Sequence, residues 1–383
     1  MSVEANPWGW LRASDCDLDE FIALVEQPTD AGDYRFACAI EHGVVVYDSD
    51  ELRSQIRSGD RRRDVMAELA SVLSDGPGIA LFRNAFTADV IGAASEVFAA
   101  IIADERAGGV ARGDHFAKPG ANDRVWNALQ KHALRSPRTF ADYYANDIVA
   151  LAATAWLGPG YQLTAQVNVV NPGGDAQQPH RDYHLGFLTD EQAERFPAHV
   201  HRLSPALTLQ GAIAHCDMPV ETGPTMYLPH SQKYEAGYLA WRRADFMRCF
   251  ADHHIQLPLA LGDAVFFNPA LFHAAGSNVT SDVARMANLL QVSSAFGRAM
   301  EDVNRRAMVT ALYPVLLDRV RSGDGTATVD DVVAASAEGY AFPGDLDRDQ
   351  PLDGLAPESD AAVVRRALAE RWSPDRLTAV LAP

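Results

Sequence analysis

A histidine and an aspartate stand one residue apart in Gln178-Pro179-His180-Arg181-Asp182-Tyr183-His184-Leu185-Gly186-Phe187. Pro179 disfavours a helix through this point, and Tyr183, Leu185 and Phe187 suit a strand. Side chains on a strand alternate between faces, so His180 and Asp182 are expected on the same side, able to grip one ion. Far along the chain, Phe266-Phe267-Asn268-Pro269-Ala270-Leu271-Phe272-His273 offers another placed histidine. Two imidazoles and one carboxylate form the facial set that holds non-haem Fe(II) and leaves positions open for a co-substrate and dioxygen. The His-x-Asp pair alone is a weak signal, because it recurs by chance in many proteins.

The elements around these residues must bring them together. Leu163, Ala165, Val167 and Val169 alternate with Thr164, Gln166, Asn168 and Val170, a strand pattern ended by Asn171-Pro172-Gly173-Gly174. The His180 strand follows, then an insert over 189–202 that reads as helix or loop. A strand over 206–215, a turn at Glu221-Thr222-Gly223-Pro224 and a short strand over 225–228 come next. A helical insert over 234–250 precedes strands at 264–267 and 286–296. Short strands divided by turn signals, after a helical half, predict an α+β chain on a jelly-roll-type barrel with flanking helices. Gly262-Asp263 turns into the apolar strand before His273, Ala274-Ala275-Gly276-Ser277-Asn278 follows it, and Arg285 opens the last strand. A buried arginine beside an iron set has a specific use: its fork pairs bidentately with the distal carboxylate of 2-oxoglutarate.

Ahead of the core, Asp17 to Val25 reads as a short amphipathic helix and Val44-Val45-Val46-Tyr47 as a small strand. A helix from Asp64 buries Val65, Leu69, Val72 and Leu73; Ile79 to Phe82 is a strand; Thr87 caps a further helix with Phe86 and Ile91 as its staple. Residues 110–135 read as irregular, mixing Arg112, His115, Phe116, Lys118, Arg124 and Trp126, either an ordinary surface loop or a lid over a pocket. Phe140 to Leu157 reads as one helix. Beyond Gly297 the chain returns to helix over 303–320, 330–338 and 359–372, with a Pro/Asp/Gly-rich wrap at 342–357. The expected organisation is an extension at 1–60, a domain at 61–300 with its jelly-roll core at about 161–298, and a helical extension at 301–383.

Composition narrows the function. The 383 residues are 48% hydrophobic, ample for a large core, and carry a net charge of -18, a field that repels phosphates and so argues against nucleic-acid or anionic-membrane partners. Four cysteines, Cys16, Cys38, Cys216 and Cys249, lie far apart with no CxxC pair, as reduced thiols would. There is no signal-peptide pattern at Met1 to Trp10 and no apolar run near the roughly 20 residues of a membrane span, so a soluble, cytoplasmic protein is expected. His180 and His184 have zinc-protease spacing, but Arg181 occupies the place of the required glutamate. His184, on the face of His180 and Asp182 if the strand continues, reads as a pocket residue. His199/His201 and His253/His254 read as surface histidines, and no phosphate-binding glycine loop appears.

Taken together, His180-Arg181-Asp182, Thr222-Gly223-Pro224-Thr225-Met226-Tyr227-Leu228-Pro229-His230-Ser231-Gln232, and Gly262-Asp263 through His273 to Asn278 and Arg285 resemble the phytanoyl-CoA dioxygenase family of Fe(II)/2-oxoglutarate oxygenases. The middle segment is similar to the family's Asn-Gly-Pro and Pro-Gly-Ser-His, with Thr222 and His230 as departures. The resemblance covers roughly residues 64–298.

It implies a double-stranded β-helix, cupin-like, with iron held by His180, Asp182 and His273 and 2-oxoglutarate held by Arg285. Gln166 and Asn168, on one face of the preceding strand, resemble the family's polar co-substrate contacts; they equally suit hydrogen-bonding partners inside the barrel. Family members that halogenate carry a small residue where this chain has Asp182, so the aspartate favours hydroxylation. The expected activity is a dioxygenase that consumes dioxygen and 2-oxoglutarate, releases succinate and carbon dioxide, and hydroxylates a small organic substrate. The alternatives are a jelly-roll binding protein without turnover, or a hydrolase or isomerase using another divalent metal at the same ligands. Oligomeric state is left open.

Overall fold

The computed structural model describes residues 9–109, 122–323, 325–341, 347 and 354–382. Two compact units divide the chain: one gathers the described residues of Met1–Ala85, Arg112–Arg124 and Asn168–Leu289, the other those of Phe86–Ala111, Val125–Val167 and Leu290–Pro383.

The first unit carries the β-structure. Its strands are β1 Ala39–Glu41, β2 Val44–Asp48, β3 Ile79–Arg83, β4 Asn122–Val125, β5 Gln162–Val170, β6 Thr208–Ala214, β7 Met226–Leu228, β8 Ile255–Gln256, β9 Ala264–Phe267, β10 Phe272–Ala274 and β11 Arg285–Ser293. β4, β5 and β11 run across the division between the units. Eight strands form one sheet in the order β1-β2-β3-β9-β6-β11-β5-β4, and β10-β7-β8 form another. Between the two sheets lies an apolar core with Ile79, Leu81, Val265 and Phe267 from the large sheet and Tyr227 from the small one. The Tyr227 and Phe267 rings meet edge to face at 5.1 Å. This is a jelly roll, a double-stranded β-helix with accompanying α-helices.

The N-terminal residues are built into that sheet. Asp17 accepts from the backbone of Asp19 and Glu20 and so caps the helix Leu18–Val25. Phe21 from this helix packs on Tyr234, Phe246 and Phe272 with ring centroids 5.0–5.4 Å away. β1 and β2 form a hairpin around His42-Gly43, both at positive φ, the backbone that a two-residue turn between twisted strands requires. β2 then runs parallel to β3.

Several sequence expectations change here. His180 makes a single bridge rather than opening a strand, because Tyr183 and His184 take positive φ (62° and 37°) and His184–Phe187 forms a 3-10 turn. Within 110–135, residues 110–121, with Arg112, His115, Phe116 and Lys118 of the loop or lid, lie outside the described residues. Residues 122–135 form β4 and the helix Ala128–Arg135, started by Asn127 in a left-handed conformation. Phe140 to Leu157 is broken at Ala145-Asn146, where the Asn146 side chain accepts from Ile148 and Val149 and caps a separate helix, Asp147–Leu157. Of the wrap at 342–357, residues 342–346 and 348–353 lie outside the described residues. None of the described helices is long and apolar enough to cross a membrane.

The second unit is helical. His132 is fully buried there among Phe98, Phe140 and Tyr143, with Nε2 3.0 Å from the Thr139 hydroxyl. Burial pushes this imidazole down from 6.5 to about 3, so it folds neutral. Between those values the unfolded chain binds the extra proton. The contribution is therefore fully present above about pH 6.5 and is lost on acidification, at ~1.4 kcal/mol per pH unit. His132→Phe is expected to flatten the fall in Tm between about pH 6.5 and 4; a variant as acid-sensitive as the parent would contradict this.

Candidate metal centre

The centre is assembled by backbone pairing. His180 N–H donates to the His273 carbonyl at 2.9 Å, and His273 N–H returns the bond to His180 at 3.2 Å. Asp182 N–H donates to Pro269 O at 3.2 Å, which holds the next residues along the same course. On its other side β10 pairs with β7, His273 opposite Tyr227. Phe272 packs outward against Phe21, so by alternation His273 turns to the opposite face, against Phe267.

Three side chains converge as a result. The donor atoms of His180, Asp182 and His273 all lie within 4.8 Å of one another. His180 Nε2 is 3.6 Å from one carboxylate oxygen of Asp182, and His273 Nε2 is 3.4 Å from the other. Both imidazoles are oriented from behind: Nδ1 of His180 stands 2.9 Å from Gln178 O, and Nδ1 of His273 stands 2.8 Å from Leu271 O. A carbonyl only accepts, so each Nδ1 carries the hydrogen and each Nε2 keeps its lone pair, the state a metal-binding histidine needs. Gln210, from β6, donates its amide to the carboxylate oxygen that faces His273. Burial works against ionising Asp182, but its neighbours His180 and His273 and the amide of Gln210 outweigh it. The carboxyl stays well below its usual range.

Arg181, between two of these residues, points the opposite way. It is buried, donates to Ser231 O at 2.6 Å and Tyr234 O at 2.9 Å, and lies 5.1 Å over each of the Tyr238 and Phe272 rings. Burial lowers this guanidinium to about 10. Two glycines make room for it: a Cβ on Gly237 would sit 2.0 Å from the guanidinium carbon, and one on Gly186 2.1 Å from the Arg181 carbonyl oxygen. Arg181 therefore anchors the backbone that carries His180 and Asp182.

The remaining sequence candidates separate. Arg285 is buried, and burial lowers it to about 10 against the opposing influence of Cys216 and Tyr227. Its Nε and Nη1 have no hydrogen-bond partner among the described residues. With Asn168, Thr225, Tyr227 and Leu289 it lines a narrow interior cavity. Asn168 also meets the Asn122 amide at 3.5 Å. Gln166 lies in the second unit, where its amide donates to Gln291 and Glu301, both at 3.3 Å. His184 leaves the common face and its Nδ1 lies 3.1 Å from Ser204 Oγ. The sequence reading passed over Gln210 and Arg181. Each carried a signal: a lone amide between Leu209 and Gly211 in an apolar strand, and a charge on the core-facing side of a bridge.

The profile of the phytanoyl-CoA dioxygenase (PhyH) family matches residues 74–287, more than half of the chain and the stretch that holds the three converging side chains and Arg285. The chain belongs to this family, and with it to the Fe(II)/2-oxoglutarate-dependent enzyme superfamily. Among solved structures it is similar to the non-haem α-ketoglutarate-dependent epimerase SnoN from nogalamycin biosynthesis. That likeness is 19% identical, covers 61% of this chain and 84% of that one, and has a TM-score of 0.42. AviO1 from Streptomyces viridochromogenes Tue57 is 18% identical over 58% of this chain and 93% of its own, TM-score 0.43. HygX from Streptomyces hygroscopicus, solved with nickel and 2-oxoglutarate, is 14% identical over 62% and 90%, TM-score 0.41. No curated protein sequence matches the chain.

Gln210→Leu tests how the carboxylate is held. Removing a hydrogen bond to a metal-binding carboxylate costs about 10–100-fold in affinity. Titration with Mn(II) or Co(II) is expected to show that loss with the circular dichroism spectrum unchanged. Unaltered affinity would mean the amide does not hold Asp182.

Proposed function

We propose that this chain is an Fe(II)- and 2-oxoglutarate-dependent dioxygenase that hydroxylates a C–H bond of a small organic substrate. The observation that carries the reading is the pairing of two environments. One is a His-Asp-His cluster with both Nε2 lone pairs facing the carboxylate. The other is a buried guanidinium whose Nε and Nη1 have no hydrogen-bond partner among the described residues.

The donor set fits iron: two neutral imidazoles and one carboxylate, on one face, leave the remaining coordination positions open. Arg285 fits a carboxylate. An unpaired buried cation is costly, and a diacid that brings its distal carboxylate to the free N–H groups removes that cost on binding. Bound iron with its co-substrate supplies the oxidation, coupling dioxygen and 2-oxoglutarate to succinate, carbon dioxide and an oxidised C–H bond. The chain's own residues do the positioning. His180 and His273 present fixed tautomers, Gln210 and Arg181 hold the backbone and carboxylate of the His-x-Asp segment, and the apolar core around Phe267 and Tyr227 excludes water. Asp182 occupies a coordination place with a carboxylate, which supports hydroxylation over halide transfer.

Aerobic conversion of 2-oxoglutarate to succinate with added Fe(II) tests the reading. His180→Ala and Asp182→Ala are expected to reduce it to background. Absence of turnover together with tight zinc retention would overturn the oxidative reading in favour of hydrolytic chemistry. Arg285→Met is expected to weaken 2-oxoglutarate binding by about 2–5 kcal/mol, ~30-fold or more, because a buried charge loses its partner. Metal affinity should be unchanged in that variant. Equal loss of both would mean Arg285 acts only on the fold.

A further inference from the structure

Between Asp182 and Gln210, which touch in the centre, the chain leaves the β-core and returns to it. The excursion comprises the turn His184–Phe187 and the helices Asp190–Ala193 and Ala198–Ala206. It encloses a pocket of about 290 Å³ walled by Leu185, Leu188, Phe196, Val200, Leu203 and Leu207. The only polar side chains in the wall are His184 and Ser204, and these bond each other at 3.1 Å. Such a wall offers nothing to a charged or strongly polar ligand.

Two observations tie this pocket to the metal centre. His184 is two residues past Asp182, so its Cα stands no more than about 7.6 Å from that of the aspartate, and Leu207 leads directly into β6 with Gln210. The backbone is also forced there. Tyr183 and His184 adopt positive φ without being glycine, a cost that persists only where surroundings impose it and that gathers at functional sites. Beside them Gly186 lies close on the Arg181 carbonyl, where an added Cβ would come within 2.1 Å. Phe196 and Leu203, both in the pocket wall, stay 39% and 49% exposed, a standing loss that an apolar occupant would relieve.

We propose that this pocket is the subsite for the apolar part of the oxidised substrate, a single ring system or short branched alkyl group. Its volume admits about ten water-sized groups. The assignment rests on the reading of the centre as an iron-dependent oxidation site.

The test uses the full chain, loaded anaerobically with 2-oxoglutarate and with Mn(II) in place of iron. Naphthalene, a neutral apolar fluorophore of one fused ring system, serves as probe. Fluorescence is expected to report saturable binding that Leu203→Asp weakens at least about 10-fold and Leu203→Met preserves. Phe196→Ser, elsewhere in the wall, gives an independent reading should the aspartate variant fail to fold. Mn(II) is expected to broaden the probe's proton signals, and His180→Ala to abolish the broadening while leaving fluorescence binding intact. Binding indifferent to Leu203 and Phe196, or binding without broadening while electron paramagnetic resonance shows Mn(II) at the centre, would overturn the assignment. Failure of Mn(II) to bind would overturn the reading of the centre, and the assignment with it, even if the probe still entered.

Discussion

Two reciprocal backbone hydrogen bonds between His180 and His273 are the constraint from which the centre is built. In an antiparallel pair that exchanges both bonds, the side chains lie on one face with Cα atoms about 5.5 Å apart. The imidazoles, 4.5 Å apart between ring centroids, thus become neighbours by register, without any long side chain reaching across. Asp182 follows at the next same-facing position, held by Pro269. The bridge is isolated, so its rigidity comes from outside. Phe272 is locked in the Phe21 aromatic cluster, β10 is paired to β7, and Arg181 is wedged between Tyr238 and Phe272. The same two rings and carbonyls that hold a buried cation therefore also fix the side chains of the candidate centre.

Two buried guanidinia in the first unit make an instructive contrast. Arg181 has its charge spread over two carbonyls and two aromatic faces, and glycines shaped to its outline. It is a structural part. Arg285 has a comparable burial and a comparable lowering, yet its Nε and Nη1 both meet no acceptor among the described residues, where Arg181 leaves its Nε without one. Folding does not leave a buried donor unanswered without consequence. That difference in partners, more than burial, favours a structural part for Arg181 and supports the proposed ligand-binding part for Arg285.

The reading of His180 and Asp182 as a same-face pair held, although the strand that justified it does not exist. A single bridge with alternation over three residues was enough, and the pattern of Tyr183, Leu185 and Phe187 misled because their apolar character serves a 3-10 turn and a pocket wall instead. The strands around Val44, Ile79, Ala264 and Arg285 were legible because each is a short apolar run between clear turn signals. Contacts set by tertiary register were not. Nothing local says that Gln210 meets Asp182, since that follows from Gln210 standing opposite Phe267 in the β6–β9 ladder. The helix Ala128–Arg135 was hidden because His132 looks polar on paper and acts as a core residue.

His230, one of the two departures from the family's motif, has a physical account of its own. It takes φ of 68°, a conformation that suits the glycine usual at that place and costs a histidine roughly 1–2 kcal/mol. Its Nε2 lies 3.1 Å from Thr29 Oγ1, and that hydroxyl already donates its hydrogen to Gly43 O at 2.7 Å. Thr29 can then only accept, so the hydrogen of the imidazole sits on Nε2. Burial, with the nearby charge of Lys233, lowers the ring to about 4 and keeps it neutral, as a ring with a buried, unpartnered Nδ1 must be. The side chain thus ties the β1–β2 turn to the loop after β7. A glycine would relieve the backbone and lose that tie.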